Sequence, residues 1–293
     1  MNSMEYHLPT TPGEACSLLG AAANSRVLAG GTDLLVQMRG GLVQPACIVD
    51  IKALPGITDV VLTEQGLTLG AAAPAQSITE RQDIKAVYPG LVEAIDLIGS
   101  TQVQGRCTVG GNLCNASPAA DTVPALMVNA AQCNIVGPDG ERQVAVESFN
   151  TGPGQNCLQP DEILISLFLP TPAARSADAY LRFIPRTEMD IAVVGAGVSL
   201  TVDEDGSCIA ARVAIAAVAP VVLLVPDAAA ALIGTRLDDT ALEAAANAAR
   251  AAASPISDKR GTAEYRRKVV GVMTRRAAGI ALERALEHSK GSQ

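Results

Sequence analysis

Two segments of the chain contain adjacent glycines, and each follows a short apolar stretch that is typical of a strand. They read Ala29-Gly30-Gly31-Thr32-Asp33-Leu34 and Thr108-Val109-Gly110-Gly111-Asn112-Leu113. Glycine lacks the Cβ that keeps a ligand away from the backbone, so paired glycines in a turn let consecutive N–H groups converge on an anion. One such pair alone is more often an ordinary tight turn, but two segments together predict a shared cradle for one diphosphate.

The chain around the first segment alternates between helix and strand. The sequence Thr11-Pro12-Gly13-Glu14 fits a capping box with proline at the first helical position, which predicts a helix through Ala22. Apolar runs then predict buried strands over residues 26–29 and 48–51, with a short helix over residues 34–38 between them. This pattern defines a first subdomain of about residues 1–53.

Residues 54–172 form a second subdomain with two predicted hairpins. Strand-like runs flank turn residues within 60–69 and within 133–146, where the turn reads Gly-Pro-Asp-Gly. Ser77 predicts the start of a helix through Val87, and Pro89 opens another. Residues 163–169 predict a further strand.

A short stretch rich in proline and small residues, 171–176, marks the domain boundary. After it we expect three strands, at 180–183, 191–202 and 208–218. Three alanine-rich helices follow, at 226–233, 239–252 and 262–287. The fold class is therefore α+β, and the second domain, residues 177–288, is predicted to be a three-stranded antiparallel sheet with three helices.

Composition excludes several classes of function. The chain has 293 residues and a net charge of −8, which disfavours binding to a nucleic-acid backbone. It has no apolar run long enough for a membrane span and no signal peptide, so a cytoplasmic location is expected. Seven cysteines without a CxxC pair and two histidines predict no metal or iron–sulfur site on this chain.

The two glycine segments, together with residues 182–191 and 258–267, resemble the FAD-binding (medium) subunit of the xanthine dehydrogenase and carbon monoxide dehydrogenase family of molybdenum hydroxylases. The resemblance covers nearly the whole chain. It implies a two-subdomain FAD-binding domain of the PCMH/vanillyl-alcohol-oxidase type over residues 1–172, followed by a C-terminal flavoprotein domain. FAD would be non-covalent, since neither His7 nor His288 adjoins a glycine segment.

The resemblance also implies a function and its partners. The chain would be an electron-transfer oxidoreductase subunit that takes electrons from 2Fe-2S clusters of a small partner subunit and passes them to an external acceptor. A large partner subunit would carry the molybdenum cofactor, and the complex would be a dimer of heterotrimers. The acceptor could be NAD, a quinone, a cytochrome or O2.

The site residues implied by the resemblance include no catalytic side chain, since the redox chemistry belongs to the flavin. Asp190 and Ile191 would stand beside the ring and tune its potential. Ile98 would pack on the ring and Leu164 on the adenine. The expected cofactor-binding residues are Ala29, Gly30, Gly31, Thr32, Asp33, Leu34, Ile98, Thr108, Gly110, Gly111, Asn112, Ser117, Asp121, Leu164 and Arg182.

Several of these residues have simpler interpretations. Asp121 fits the N-cap of a helix through Leu126, Ser117 shares that ambiguity, and Asp190 fits an ordinary turn before a strand. Leu164 is equally suited to a core, and Arg182 to the surface. The segment Gly195-Ala196-Gly197 resembles the start of a dinucleotide fingerprint, but it lacks the third glycine and lies within an apolar strand.

Two other function classes remain open from the sequence. A self-sufficient flavin oxidase or dehydrogenase would need a substrate pocket with a base, for which Glu188 and Asp190 are the acidic candidates. A non-catalytic assembly protein would bind the nucleotide for structure alone, and no partner would be able to reduce its flavin.

Overall fold

The computed structural model describes residues 4–187 and 189–290 and shows an α+β fold. Within these residues the strands form a three-stranded, a five-stranded, a four-stranded and a two-stranded sheet. The first two sheets and the helices between them share one hydrophobic core. The four-stranded sheet and the last three helices enclose a second core.

The N-terminal sheet is parallel, with strand order β1-β3-β2. The first helix of the chain begins as predicted, because Thr11 Oγ1 accepts a hydrogen bond from the Glu14 amide at 3.3 Å. The elements are β1 (Glu5–His7), α1 (Pro12–Ala21), β2 (Ser25–Leu28), α2 (Leu34–Arg39) and β3 (Cys47–Asp50).

The prediction that residues 26–29 form a buried strand was wrong in its burial. Strand β3 is buried throughout, whereas β2 is half-buried or exposed, and Val27 is 36% exposed. The reason is position. Strand β2 is an edge strand that, among the described residues, pairs only with β3, and its residues Arg26 and Val27 line a cavity.

The second sheet is antiparallel, with order β4-β5-β10-β6-β7. Both predicted hairpins are present, as the pairs β4·β5 and β6·β7. The elements of this part of the chain are β4 (Val60–Leu62), β5 (Gly66–Gly70), α3 (Ala75–Thr79), α4 (Gln82–Val87), α5 (Pro89–Asp96), α6 (Thr101–Gln104), α7 (Val109–Cys114), α8 (Thr122–Val128), β6 (Gln132–Gly137), β7 (Gly140–Ala145), β8 (Asn150–Gly152), β9 (Gln155–Asn156) and β10 (Ile163–Pro170).

The prediction of a single helix from Ser77 to Val87 was wrong, because the chain forms the two helices α3 and α4 instead. Ser77 lies inside α3 and donates its hydroxyl to the Pro74 carbonyl rather than capping a helix. Arg81 is extended between the two helices. On one continuous helix Ile78 and Ile84 would point about 120° apart, and the break lets both lie fully buried in the core.

The predicted three-stranded C-terminal sheet was also wrong, because the sheet has four strands in the order β11-β12-β13-β14. The added strand β14 has two residues and pairs with β13. Such a short segment carries no alternation of apolar and polar residues, so it escaped the sequence analysis. The elements are β11 (Ser176–Phe183), β12 (Val194–Val202), β13 (Cys208–Ala216), β14 (Leu223–Leu224), α9 (Pro226–Leu232), α10 (Asp239–Ala252) and α11 (Ala263–Lys290).

Helices of the chain before β11, called the first part of the chain below, pack directly on the C-terminal sheet. Helix α5 contacts β11, and α8, which is buried along its whole length, contacts β12 and β13. A Cβ on Gly197 would lie 3.1 Å from the Pro124 carbonyl oxygen of α8. Gly197 of the Gly195-Ala196-Gly197 segment therefore permits close packing of α8 on β12.

A buried carboxylate, Asp178 on β11, joins the two parts. Its Oδ1 accepts the Gly90 amide at 2.8 Å, and its Oδ2 accepts the Asn129 side-chain amide at 2.7 Å. The neighbouring Arg284 pairs with Glu93 of α5 and donates to the Asp178 carbonyl at 2.9 Å. The Asp178 carboxylate and the Arg284 guanidinium, both in the C-terminal part, thus contact groups of the first part of the chain.

No helix of the described residues is both long enough and apolar enough to cross a membrane.

The Asp178 contact makes a prediction about stability and pH. Burial raises the pKa of Asp178 to about 6, so the native state holds a proton that the unfolded chain has already lost. The free energy of unfolding should therefore fall by up to about 3 kcal/mol as pH rises from about 4 to 6. The Asp178→Asn variant should lack this component in urea titrations across that range.

The exposed turn residue Asp139 offers the matched control, since Asp139→Asn should keep the wild-type pH dependence. If Asp178→Asn and wild type had the same slope of unfolding free energy against pH, Asp178 would not be the responsible group.

Candidate functional site

A cavity of about 500 Å³ lies between the two glycine segments. Its size falls within the range of about 300–1,000 Å³ that is usual for cofactor and small-molecule pockets. Most of the predicted site residues line it, namely Ala29, Gly30, Gly31, Thr32, Asp33, Leu34, Ile98, Thr108, Gly110, Gly111, Asn112 and Leu164.

The first segment approaches the chain before the second segment at backbone distance. A Cβ on Gly30 would collide with the carbonyl oxygen of Arg106. Gly31 has a φ of +77°, a backbone conformation that is strained for residues other than glycine. The carbonyl of Ala29 accepts a hydrogen bond from Lys52 Nζ at 3.1 Å. Both glycines are thus needed for the shape of this wall.

The second segment has a different conformation from the predicted turn. Gly110 and Gly111 lie within the short helix α7, and Thr108 caps it by accepting the Gly111 amide at 2.9 Å. A Cβ on Gly110 would collide with the Ala71 carbonyl oxygen. Gly110 therefore permits close packing of α7 on the chain after β5. The prediction that the glycines of the second segment form a turn with converging amides was wrong.

Amide side chains connect the walls of the cavity. Gln37 of α2 donates to Asn115 Oδ1, at the end of α7, at 3.2 Å. Asn156 of β9 donates to the Cys114 carbonyl at 2.9 Å. Sequence analysis missed Asn156 together with Gly154 and Leu158, because the two-residue and three-residue strands of the β8·β9 ribbon show no periodicity.

The ionisable residues in the cavity wall are Arg26, Asp33, Cys107 and Cys114. Burial raises the pKa of the Asp33 carboxyl above its ordinary value. Burial raises the pKa of Cys107 to about 11 and that of Cys114 to about 12, so both thiols stay protonated at neutral pH. The cavity therefore offers hydrogen-bonding groups and apolar walls rather than an activated nucleophile.

Two predicted residues, Asp121 and Arg182, lie together beneath the cavity wall instead of lining it. Arg182 Nη1 donates to Asp121 Oδ2 and to the Leu97 carbonyl, both at 2.8 Å. The Arg182 side chain is 5% exposed, so the surface interpretation was wrong. Asp121 occupies the N-cap position of α8, but its side chain makes no capping hydrogen bond.

A second, smaller cavity of about 240 Å³ contains Ser117 and Ile191 in its wall, together with Arg260 and Arg266. The adjacent Asp190 accepts hydrogen bonds from Arg186 at 3.2 Å and from Arg260 at 3.5 Å. The hydrogen bond from Arg186 holds the pKa of Asp190 below its ordinary value. Glu188, the other acidic candidate in this loop, lies outside the described residues.

The predicted residues thus fall into three groups: the wall of the larger cavity, the buried Asp121–Arg182 pair, and the smaller cavity with its rim. Among the described residues, no group of three or more histidine, cysteine or acidic side chains is arranged to hold a metal ion. All seven cysteines are free thiols.

Comparison with known proteins covers almost the whole chain. Residues 2–172 match the FAD binding domain in molybdopterin dehydrogenase, and residues 179–281 match the CO dehydrogenase flavoprotein C-terminal domain. The carbon monoxide dehydrogenase medium chain of Afipia carboxidovorans is 33% identical over 97% of this chain and 98% of its own length. The putative xanthine dehydrogenase FAD-binding subunit of Escherichia coli K12 is 30% identical over 96% of each.

The fold is also similar to that of a solved structure whose sequence identity to this chain is close to that of the two relatives above. A chain of the carbon monoxide dehydrogenase from Hydrogenophaga pseudoflava superposes with a TM-score of 0.92 at 32% identity, covering 96% of this chain and 98% of that one.

The close approach of the first segment makes a prediction about stability. Gly30→Ala should lower the free energy of unfolding by about 1–3 kcal/mol, because the new methyl must displace the Arg106 backbone. Gly13→Ala is the matched control. Its Cβ would meet nothing within 4 Å, and inside α1 alanine should stabilise the helix by up to about 1 kcal/mol.

Urea unfolding followed by circular dichroism compares the two variants. An unchanged midpoint for Gly30→Ala would mean that the two segments do not depend on this contact.

Proposed function

The chain belongs to the family of FAD-binding medium subunits of the molybdenum hydroxylases, and we propose that it binds FAD in the cavity between its two glycine segments. It is the flavoprotein subunit of an oxidoreductase, which takes electrons from 2Fe-2S clusters of a partner subunit and passes them to an external acceptor. The observation that carries the assignment of the site is the cavity itself, lined by both segments.

The residues present suit a dinucleotide. At Gly30 and Gly110 the absence of a side chain lets the backbones close around a narrow cleft, and the polar residues Thr32 and Asn112 line it. We propose that residues 29–34 follow the diphosphate and ribityl chain. Thr108, Gly110, Gly111 and Asn112 close from the opposite side.

The apolar ends of the cofactor would meet apolar walls. Leu164 is almost fully buried where β10 borders the cavity, and it would contact the adenine. Ile98, just beyond the end of α5, would pack on the flavin ring. Its half-buried position is consistent with a surface that a ligand covers.

The remaining site residues would act at the ring end. We propose that Ser117 and Ile191 approach the flavin from the smaller cavity and that Asp121 and Arg182 support it from beneath. Asp190 would tune the potential, moderated by its pairing with Arg186 and Arg260, because a carboxylate near the ring disfavours an anionic reduced flavin.

Bound FAD supplies the means of exchanging electrons with both one-electron and two-electron partners. The chain's own residues hold the cofactor and shape its surroundings. Substrate chemistry would belong to a large subunit with the molybdenum cofactor, and a small 2Fe-2S subunit would connect the two. We further propose a dimer of heterotrimers located in the cytoplasm.

We also propose the domain division read from the sequence. An FAD-binding domain of the PCMH/vanillyl-alcohol-oxidase type would cover residues 1–172, with subdomains of about 1–53 and 54–172. The C-terminal flavoprotein domain would cover residues 177–288. In support, β10 ends at Pro170 and β11 begins at Ser176, with no helix or strand between them.

Electron transfer predicts a specific partner dependence. The FAD-loaded chain, mixed anaerobically with its reduced 2Fe-2S subunit in a stopped-flow instrument, should lose its visible flavin absorption. The oxidised 2Fe-2S subunit is the control and should cause no change. The loaded chain alone should not be bleached by purines, aldehydes or N-heteroaromatic compounds, because we propose that substrate chemistry belongs to the large molybdenum subunit.

Bleaching by one of these compounds without any partner would instead identify a self-sufficient flavin dehydrogenase.

A further inference from the structure

The Tyr180 hydroxyl is a buried polar group from the C-terminal sheet that reaches the first part of the chain. It donates to Asp121 Oδ1 at 2.8 Å, and the tyrosine is 2% exposed. Arg182 lies two residues further along β11, so its side chain emerges on the same face of the strand. It holds the other carboxylate oxygen, Oδ2. One carboxylate is therefore fixed from both sides by a single strand.

A first connection runs from this carboxylate to the turn that carries Ile98. Arg182 Nη1 contacts Asp121 Oδ2 and the Leu97 carbonyl together, each at 2.8 Å. Leu97 is the C-cap of α5, and the next residue, Ile98, lines the larger cavity. The orientation of the Arg182 guanidinium thus determines where this part of the cavity wall lies.

A second connection runs to the opposite wall. Thr122 follows Asp121 directly and donates its hydroxyl to Asn112 Oδ1 at 2.6 Å. Asn112 lines the cavity within the second glycine segment. A shift of the Asp121 backbone would therefore move Thr122 and turn the Asn112 amide.

The sheet leaves space for this hydroxyl. Gly195 of β12 pairs with Arg182 in the sheet register, and a Cβ on Gly195 would lie 2.6 Å from the Tyr180 hydroxyl oxygen. Any larger residue there would displace the hydroxyl from its place beside Asp121. Gly195, part of the segment that resembled a dinucleotide fingerprint, therefore has a physical reason within the sheet.

We propose that Tyr180 is a positioning residue for the FAD site, which through Asp121 sets both the Ile98 turn and the Asn112 amide. The inference rests on the proposed function, since it assumes that FAD occupies the larger cavity. Tyr180 lines neither cavity, so it acts through other residues and does not touch the cofactor. In this way the C-terminal sheet determines the geometry of a site built by the first part of the chain.

Protonation of Asp121 gives the connection a pH signature. Burial raises the pKa of the Asp121 carboxyl, and Arg182 and the Tyr180 hydroxyl, both from β11, act to lower it. Loss of the hydroxyl should raise this pKa further. Acidification would then neutralise Asp121, and release its charge from Arg182, at a higher pH than in the wild-type chain.

The test compares Tyr180→Phe with Tyr88→Phe in the full chain, using FAD itself as the probe. Tyr88 is also fully buried, and its hydroxyl donates to the Leu169 and Pro170 carbonyls without lining either cavity. FAD titrations followed by flavin fluorescence should give a dissociation constant about tenfold weaker for Tyr180→Phe, because a smaller fraction of the chain holds both walls in place.

The pH profile is the second readout. The affinity of Tyr180→Phe for FAD should begin to fall at a higher pH than that of wild type, and its bound flavin should show shifted visible bands. Tyr88→Phe should keep the wild-type affinity, pH profile and spectrum. If Tyr180 had a purely structural role, both variants would lose thermal stability, and they would not differ from each other in affinity, pH profile or spectrum.

Wild-type affinity and pH profile in Tyr180→Phe would overturn the inference, and so would equal weakening in both variants. Gly195→Ala is the second variant if Tyr180→Phe fails to fold. It keeps the phenol and displaces its hydroxyl, and it should weaken FAD binding similarly. A wild-type chain that binds no FAD would refute the proposed function itself, and the positioning role with it.

Discussion

The architecture of the site depends on two places where backbone meets backbone without an intervening side chain. Gly30 faces the Arg106 carbonyl, and Gly110 faces the Ala71 carbonyl, at separations that exclude even a methyl group. The Gly30 contact places the first glycine segment against the chain before α7, and the Gly110 contact packs α7 on the chain after β5. Together they hold the two glycine segments on either side of one cleft. The cavity between them is the space that remains once these backbones have met, so its shape follows from steric exclusion.

The C-terminal sheet stabilises this arrangement from a distance. Helix α8, which follows the second glycine segment, is buried against β12 and β13, and two buried carboxylates cross the same boundary. Asp178 receives hydrogen bonds from Gly90 and Asn129, and Asp121 receives them from Tyr180 and Arg182. Burying a carboxylate is costly unless such donors satisfy it, so these four contacts fix the relative position of the two parts.

Much of this organisation could be predicted from local sequence. The capping box at Thr11, the Gly-Pro-Asp-Gly turn and the proline-rich boundary each act over a few residues, and the corresponding elements are present. Errors arose where tertiary contacts decide the outcome. The helix after Ser77 breaks so that Ile78 and Ile84 can both be buried, and β2 is exposed because it is an edge strand beside the cavity.

The site shows the same division between local and distant causes. Both glycine segments were identified by their composition, whereas the packing of Gly110 of α7 on Ala71 is a contact between distant parts of the sequence. The partners of Asp121 are 59 and 61 residues away, at Tyr180 and Arg182, and the β8·β9 wall has strands too short for any periodicity. Such contacts join residues that are far apart in sequence, so no local pattern predicts them.

The most direct test of the account is the visible absorption spectrum of the purified chain, recorded before and after acid precipitation, with the released compound identified by mass. Flavin bands, together with intact FAD in the acid supernatant, are the predicted result, because we propose that the cavity holds FAD without a covalent bond. A colourless chain that also fails to take up added FAD would contradict the assignment of the cavity between the two glycine segments.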